Sequence, residues 1–404
     1  MRIAHVIPSV AARDGGPSST VVSMCRALAE RAADVTLVTT DADGRGRLPV
    51  TLREPSDWLG VKTRFFHRQL TESFKYSNSL ARWLARHVSE FELVHIHGVL
   101  SHAPLAAARA CRRAGVPYIV RPLGTLDPWS LAQKALKKRV LLAAVGRPLL
   151  RGAAAIHCTS DEERRAVEAE LNVHSAVTIP LGVEDTLLVA PPVTKRMASV
   201  LVVSRLHPVK NLDAFIHAFA DAVETAGDTP RWTLIIAGSG DEAYEQRLRD
   251  VVQERGVESR VSFAGWVDRD AKISLMRSAS MFALPSFHEN FGVSLVEALA
   301  CGLPAFVTRQ VHLSGMVKQA GAGWTAECDR QAMRNGLLQA WRDLEGGRAS
   351  ADAARALAQR FSWRHIAGEL TALYSSIIDR SDASGIRSRR IEELADDRWR
   401  TTGA

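Results

Sequence analysis

The sequence predicts an α/β protein of two domains, each carrying a parallel sheet covered by helices. Three observations lead there. The chain has 404 residues, more than one compact core usually organises. Short apolar runs alternate with stretches of helical periodicity in both halves, the rhythm of β–α–β units. A break at Leu181–Met197, with Pro191-Pro192-Val193-Thr194-Lys195 near its end, separates the two series.

In the first series the strands read Ile3–Ile7, Val35–Thr39, Leu93–Ile96, Tyr118–Val120, Ala154–Cys158 and Ala176–Ile179. Helices fall between them, among them Pro17–Arg31, Pro104–Ala114 and Asp161–Leu171. In the second series the strands read Val200–Val203, Thr233–Ala237, Val261–Ala264, Met281–Leu284 and Ala305–Val307. This alternation argues for two Rossmann-like sheets: residues 1–185 form the first domain, 186–197 a linker and 198–361 the second. Phe361-Ser362-Trp363 opens a helix over 362–380, and the charge-rich 381–404 reads as a mobile tail. Ligands of open α/β sheets bind beyond the carboxyl ends of the strands, so the expected site is the interdomain cleft.

Composition narrows the class. An apolar fraction of 46% is ordinary for a folded protein, and no run of about 18 uncharged apolar residues suggests a membrane span. Met1-Arg2-Ile3-Ala4-His5-Val6 reads as a first strand rather than a signal peptide. Cys25, Cys111, Cys158, Cys301 and Cys328 are scattered without C-x-x-C spacing, which favours reduced thiols in a cytoplasmic protein over a disulfide frame or a zinc site.

Most of the net charge of +8 belongs to residues 1–185, with 25 Lys/Arg against 18 Asp/Glu. Its densest part is Lys134-Ala135-Leu136-Lys137-Lys138-Arg139, extended by Arg147 and Arg151. The pattern is that of an amphipathic basic helix, read either as a solvated face or as a peripheral contact with anionic membrane. Without interleaved aromatics or a recognisable DNA or RNA module, nucleic-acid binding is not expected.

Chemistry concentrates in the second half. After the apolar run Met281–Leu284 a polar loop leads through Asn290-Phe291-Gly292-Val293 into a helix that stops at Gly302-Leu303-Pro304. Glu289 stands in the loop and Glu297 about two turns into the helix, on the order of 10 Å apart at ~1.5 Å per residue. Between them the N–H groups of a helix start offer a seat for phosphate. That span, from a sugar across a diphosphate to a ribose, suggests a nucleotide-sugar site. Arg205 and Lys210 flank the turn after Val200–Val203 and could clamp both phosphates of a diphosphate. Asp14-Gly15-Gly16-Pro17 follows the first strand; its glycines admit a phosphate or serve a plain tight turn. It is neither a G-x-G-x-x-G fingerprint nor a Walker loop.

Gly15-Gly16, the Arg205…Lys210-Asn211 turn, Glu289…Glu297 and the Phe-Ser-Trp opening of the last helix together resemble glycosyltransferase family 4, retaining enzymes of the GT-B fold. The resemblance runs to about residue 380 and implies an acceptor domain first, a donor domain second, and a C-terminal crossover helix returning to the first. It implies that Gly16 contacts the donor phosphate through its backbone, and that Arg205 and Lys210 hold the diphosphate. It gives Glu289 the hydroxyls of the transferred sugar and Glu297 the ribose. Base recognition falls to the backbone around Phe263, Gly265 and Trp266. No metal cofactor is implied, because the paired cations do a metal's work; the substrate would be a UDP- or GDP-sugar.

Glu92-Leu93-Val94-His95-Ile96-His97 and Arg121-Pro122-Leu123-Gly124-Thr125-Leu126-Asp127-Pro128-Trp129 are similar to members that build lipopolysaccharide O-antigen or exopolysaccharide. Gly124 stands where many members have a sugar-contacting histidine, and His97 or Arg121 is the substitute considered. The implied reaction transfers a hexosyl group to a saccharide acceptor, expected to be lipid-linked at the inner face of the cytoplasmic membrane. A sugar-phosphate synthase and a catalytically idle nucleotide-sugar-binding protein remain alternatives.

Overall fold

The computed structural model describes residues 1–126, 139–191, 193, 196–227 and 231–383. Asp127, Pro128 and Trp129, the basic segment at Lys134, Lys137 and Lys138, and the expected tail from residue 384 on lie outside the described residues. The chain forms two compact units: Met1–Gly182 with the last helix, Trp363–Ala383, and Val183–Ser362.

The strands of the first unit are β1 Arg2–Val6, β2 Asp34–Thr40, β3 Ala42–Asp43, β4 Gly46–Arg47, β5 Pro55–Trp58, β6 Val61–Phe66, β7 Leu93–His97, β8 Tyr118–Arg121, β9 Ala155–Cys158 and β10 Ala176–Thr178. Apart from the β3–β4 ribbon they form one sheet in the order β10-β9-β8-β7-β1-β2-β6-β5, parallel except where β5 meets β6. β7 is buried along its whole length, as a central strand covered on both faces must be. The last helix packs on helix Gly16–Ala29 of the same unit. It extends to Ala383, three residues beyond its expected end.

The second unit adds β11 Met197–Val203, β12 Thr233–Ala237, β13 Val261–Gly265, β14 Ala279–Leu284, β15 Ala305–Thr308 and β16 Gly323–Ala326. They form a parallel sheet in the order β13-β12-β11-β14-β15-β16. The stretch read as a linker carries a short helix, Asp185–Leu188, whose Leu187 and Leu188 are buried. It therefore packs as part of the second unit instead of bridging as free chain. Among the described residues no helix is long and apolar enough to cross a membrane, and all five cysteines are unpaired thiols.

Arg196, just before β11, fastens this unit. Its Nη1 donates to the carbonyls of Met276 and Ala279 at 2.9 and 2.8 Å, and its Nη2 to those of Cys301 and Gly302 at 2.8 and 3.1 Å. These carbonyls end two helices, Arg269–Ser278 and Val293–Ala300, where unsatisfied C=O groups carry partial negative charge. Arg196→Ala should destabilise the second unit by about 3 kcal/mol, measured as a lowered midpoint in urea unfolding. A midpoint unchanged from wild type would mean that water replaces the guanidinium without loss.

Candidate active site

The site residues of the second unit hang on loops at the carboxyl ends of neighbouring strands. β11 runs into Ser204–His207, a single turn Pro208–Lys210 and helix Leu212–Ala226. Asn211 opens that helix from a left-handed conformation, φ 57°, and is fully buried with its side-chain amide donating to Cys328 O at 3.1 Å. Gly238 lets the next loop approach closely: a Cβ there would lie 1.8 Å from Ser204 O. Arg205 stands exposed at the turn, whereas Lys210 folds inward.

β14 delivers Glu289 to Lys210. The two side chains form an ion pair in which 13% of the lysine and 20% of the glutamate side chain stay exposed. The loops are joined again where Phe287 N–H donates to Val209 O at 2.9 Å. Glu289 is anchored on its other side by the loop after β15, where His312 N–H donates to its carbonyl at 3.1 Å. Helix Val293–Ala300 then begins at Gly292, with φ 78° and no side chain capping its first N–H groups. A Cβ at Gly292 would come within 3.1 Å of Leu284 and 3.3 Å of Glu289, so glycine satisfies both the backbone angle and the packing. Asn290 sits half-buried before it, and Phe291 is buried edge-on against Phe361.

Glu297 has a partner that the sequence did not reveal. Both of its oxygens accept from Lys272 Nζ, at 2.6 and 2.8 Å, with the carboxylate side chain 18% exposed. Lys272 lies on helix Arg269–Ser278, 25 residues upstream, where no local motif marks it. Beside that helix, β13 ends at the exposed Gly265, followed by Trp266, 60% exposed. Phe263 is half-buried, with the Arg249 guanidinium 4.5 Å over its ring. Arg205, Lys210, Glu289, Gly292, Val293 and Glu297 thus share one end of one sheet.

In the first unit, Gly15 (φ 79°) precedes helix Gly16–Ala29, which begins without a side-chain cap and with Pro17 in its first turn. Gly124 has φ 69°, and its N–H donates to Glu163 Oε1 at 2.9 Å. His97 and Arg121 differ from expectation. Both are fully buried, because β7 and β8 are inner strands paired at His97 and Arg121. They are core residues of the sheet rather than surface groups.

They belong to a polar cluster of His5, His95, His97, His157, Arg121 and Tyr374, all without exposure. Ile179 O can only accept, so His157 Nε2 carries the proton of their 2.8 Å bond. Neutral His157 therefore accepts at Nδ1 from His95 Nε2 at 3.3 Å, and His95 Nδ1 accepts from the Tyr374 hydroxyl at 2.7 Å. This chain of bonds ties the last helix to β7 and β9. His5 Nδ1 and His97 Nε2 share a further bond of 3.0 Å. His5, His95 and His97 bring nitrogens within 4.8 Å of one another, a spacing that could hold a metal ion. The adjoining Arg121 charge, and the bonds already made by these rings, oppose a cation there.

Burial, then the Arg121 charge, holds His5 and His157 down at about 3. Burial, then the neighbouring histidines and Arg121, also lower His95 and His97. The Arg121 guanidinium is itself lowered to about 10 by burial, against the raising pull of Glu163. Histidines that are neutral when folded take up protons on unfolding below their ordinary value of ~6.5. Their contribution is fully present above that value and is withdrawn as pH falls toward 3. Each of His5 and His157 should remove up to ~1.4 kcal/mol of stability per pH unit. Melting temperatures across pH 7.5 to 5 should fall steeply in wild type and less in His157→Gln; equal slopes would refute neutral burial of His157.

Comparison with known proteins agrees with this architecture. Residues 15–182 match the family described as Glycosyl transferase 4-like domain, and residues 190–355 match Glycosyl transferases group 1. The D-inositol 3-phosphate glycosyltransferase of Jonesia denitrificans is 33% identical over 43% of this chain and 42% of its own length. The chain thus spans less than half of that relative. The phosphatidyl-myo-inositol mannosyltransferase of Mycobacterium leprae is 27% identical over 93% of this chain and 97% of its own. Among solved structures, HepE of Anabaena, in complex with UDP and glucose, superposes with a TM-score of 0.73 at 22% identity, covering 93% of this chain and 100% of that one. The chain belongs to the glycosyltransferases of the GT-B fold, in the group like family 4.

Proposed function

We propose that the protein is a retaining glycosyltransferase that moves a hexosyl group from a UDP- or GDP-sugar to a hydroxyl of a lipid-linked saccharide in surface polysaccharide synthesis. The observation that carries this reading is the Lys210–Glu289 pair beside the uncapped helix start at Gly292. A cation, a carboxylate and free N–H groups at one strand end suit a diphosphate with a sugar attached. The names of relatives favour the finer assignments: HepE holds UDP and glucose, and the Mycobacterium leprae relative is named for a phosphatidylinositol.

In this reading Arg205, Lys210 and the N–H groups at Gly292 and Val293 stabilise the charge that builds on the leaving diphosphate. The bond from the anomeric carbon to the phosphate oxygen breaks as that carbon gains oxocarbenium character. The acceptor oxygen forms its new bond on the same face, and its proton passes to the departing phosphate oxygen. No metal is needed where two cations neutralise the leaving group. Glu289 orients the sugar and keeps Lys210 aimed; Lys272 holds Glu297 toward the ribose. The basic segment around Lys134, Lys137 and Lys138 would bring the enzyme to the cytoplasmic face of an anionic membrane, where such an acceptor is found.

Lys210→Ala should cost at least about 2 kcal/mol of transition-state stabilisation in kcat/KM for nucleotide-sugar turnover, with the fold retained. Near-wild-type turnover would refute the diphosphate assignment. Glu297→Gln should raise the donor KM more than it lowers kcat, and Glu289→Gln the reverse, because ribose contacts persist from ground to transition state. Steady-state kinetics on both variants decide this; effects confined to kcat in each would reverse the division of labour.

A further inference from the structure

At the outer edge of the first sheet, apart from every residue assigned above, lies an open pocket of about 330 Å³ lined by Asn78, Trp83, His87 and the exposed Arg53, Arg82 and Arg86. It is in the size range of small-molecule sites. Three guanidinium groups line it and no carboxylate does. Arg82 and Arg86 are one turn apart on helix Asn78–His87, so they share a face and repel. Neither makes an ion pair among the described residues.

Arg53 approaches from the loop before β5 with a left-handed backbone, φ 69°, which a side chain of this kind rarely adopts. Two bonds hold it there. Arg53 N–H donates to Phe65 O at 2.8 Å, and Arg64 Nη1 donates to Arg53 O at 2.7 Å. Arg64 in turn lies 5.2 Å over the Trp83 ring, and Trp83 stacks on His87 at 4.9 Å. His87 Nδ1 is bonded to Glu90 Oε1 at 2.6 Å. The frame around the pocket is therefore braced while its three arginines are left uncompensated.

Backbone strain at Arg53 and unneutralised repulsion between Arg82 and Arg86 both cost stability, and both suit a site that waits for an anion. We infer that this pocket binds a phosphate-bearing ligand, a phosphomonoester or diphosphate whose negative charges pair with Arg53, Arg82 and Arg86. Planar guanidinium groups bond phosphate oxygens two at a time, and the volume leaves room beside Trp83 for the organic part of the ligand.

Calorimetric titration of inorganic pyrophosphate into the full-length Lys210→Ala protein tests this with the donor loops weakened as a competing phosphate site. Saturable binding is expected, weakened about tenfold or more by the double change Arg82→Gln and Arg86→Gln. Arg53→Gly should also weaken it while holding or raising the melting temperature, since glycine accepts the left-handed angle without strain. A purely structural Arg53 would instead lose stability. A parallel arm offers the phosphate on lipid, as phosphatidic acid in phosphatidylcholine vesicles, and measures co-sedimentation of the same proteins. Arginine-dependent binding of free pyrophosphate supports a soluble ligand; arginine-dependent binding of the vesicles alone supports a lipid-borne one. Undetectable binding of both probes, or binding that all three substitutions leave unchanged, overturns the inference.

Discussion

Lys210 and Glu289 meet because β11 and β14 are neighbours in a parallel sheet, and the carboxyl edge of the second sheet is organised by that meeting. Parallel strands release their following loops at the same edge, so residues 79 positions apart arrive side by side. The pair is mostly withdrawn from water, where screening is weak and an unpartnered charge would be costly. The main-chain bond from Phe287 to Val209 and the grip of the loop after β15 on Glu289 leave neither loop free to swing. Gly292 is then placed to begin its helix at the same edge.

Sequence legibility followed how local the cause was. The strand, loop and helix around Glu289 and Glu297 are continuous in sequence, so their glycines, apolar run and spacing could be read directly. Helix Asp161–Leu171 was equally legible, because Ser160 caps Glu163 N–H at its start and Asn172 ends it in a left-handed turn. Lys272 was not, because a lysine on an ordinary helix gains meaning only when folding lays it on Glu297. Strand β6 was missed because Val61-Lys62-Thr63-Arg64 alternates like a solvated edge, yet it pairs with both β2 and β5. Strand β16 was missed for a related reason: it starts on Gly323 and is only four residues long. His97 misled in the opposite sense. A polar residue at a strand end looks like a site, but four histidines and a tyrosine had built a buried network that no single position discloses.

The two units handle a cation withdrawn from water differently, Arg196 being half-buried and Arg121 fully buried. Arg196 spreads its charge over helix-ending carbonyls, which are polar groups in need of donors, so the penalty of withdrawing it from water is offset by what it satisfies. Arg121 has no hydrogen-bond partner on any of its three nitrogens among the described residues. Its compensation is longer-ranged: Glu163 lies close enough to raise it, and the surrounding histidines stay neutral. Glu163 is itself held by Thr159 N–H at 2.8 Å and Gly124 N–H at 2.9 Å, which keeps that carboxylate in position. The core of the first unit thus depends on protonation states, whereas the second depends on geometry.

Charge pairing also decides what the loops at this edge present to a ligand. Lys210 is matched by Glu289 and Lys272 by Glu297, so these four charges cancel in pairs. The exposed Arg205 and the helix start at Gly292 remain as positive features at that edge. A donor diphosphate, in the function proposed, would be drawn first to those two, and would then share Lys210 with Glu289. An ammonium carries three donors and can serve both partners at once. Glu289 therefore also fixes the direction in which Lys210 points. In the function proposed, the lysine then need not be ordered anew when the leaving group develops its charge, which is the advantage of a preorganised site over water.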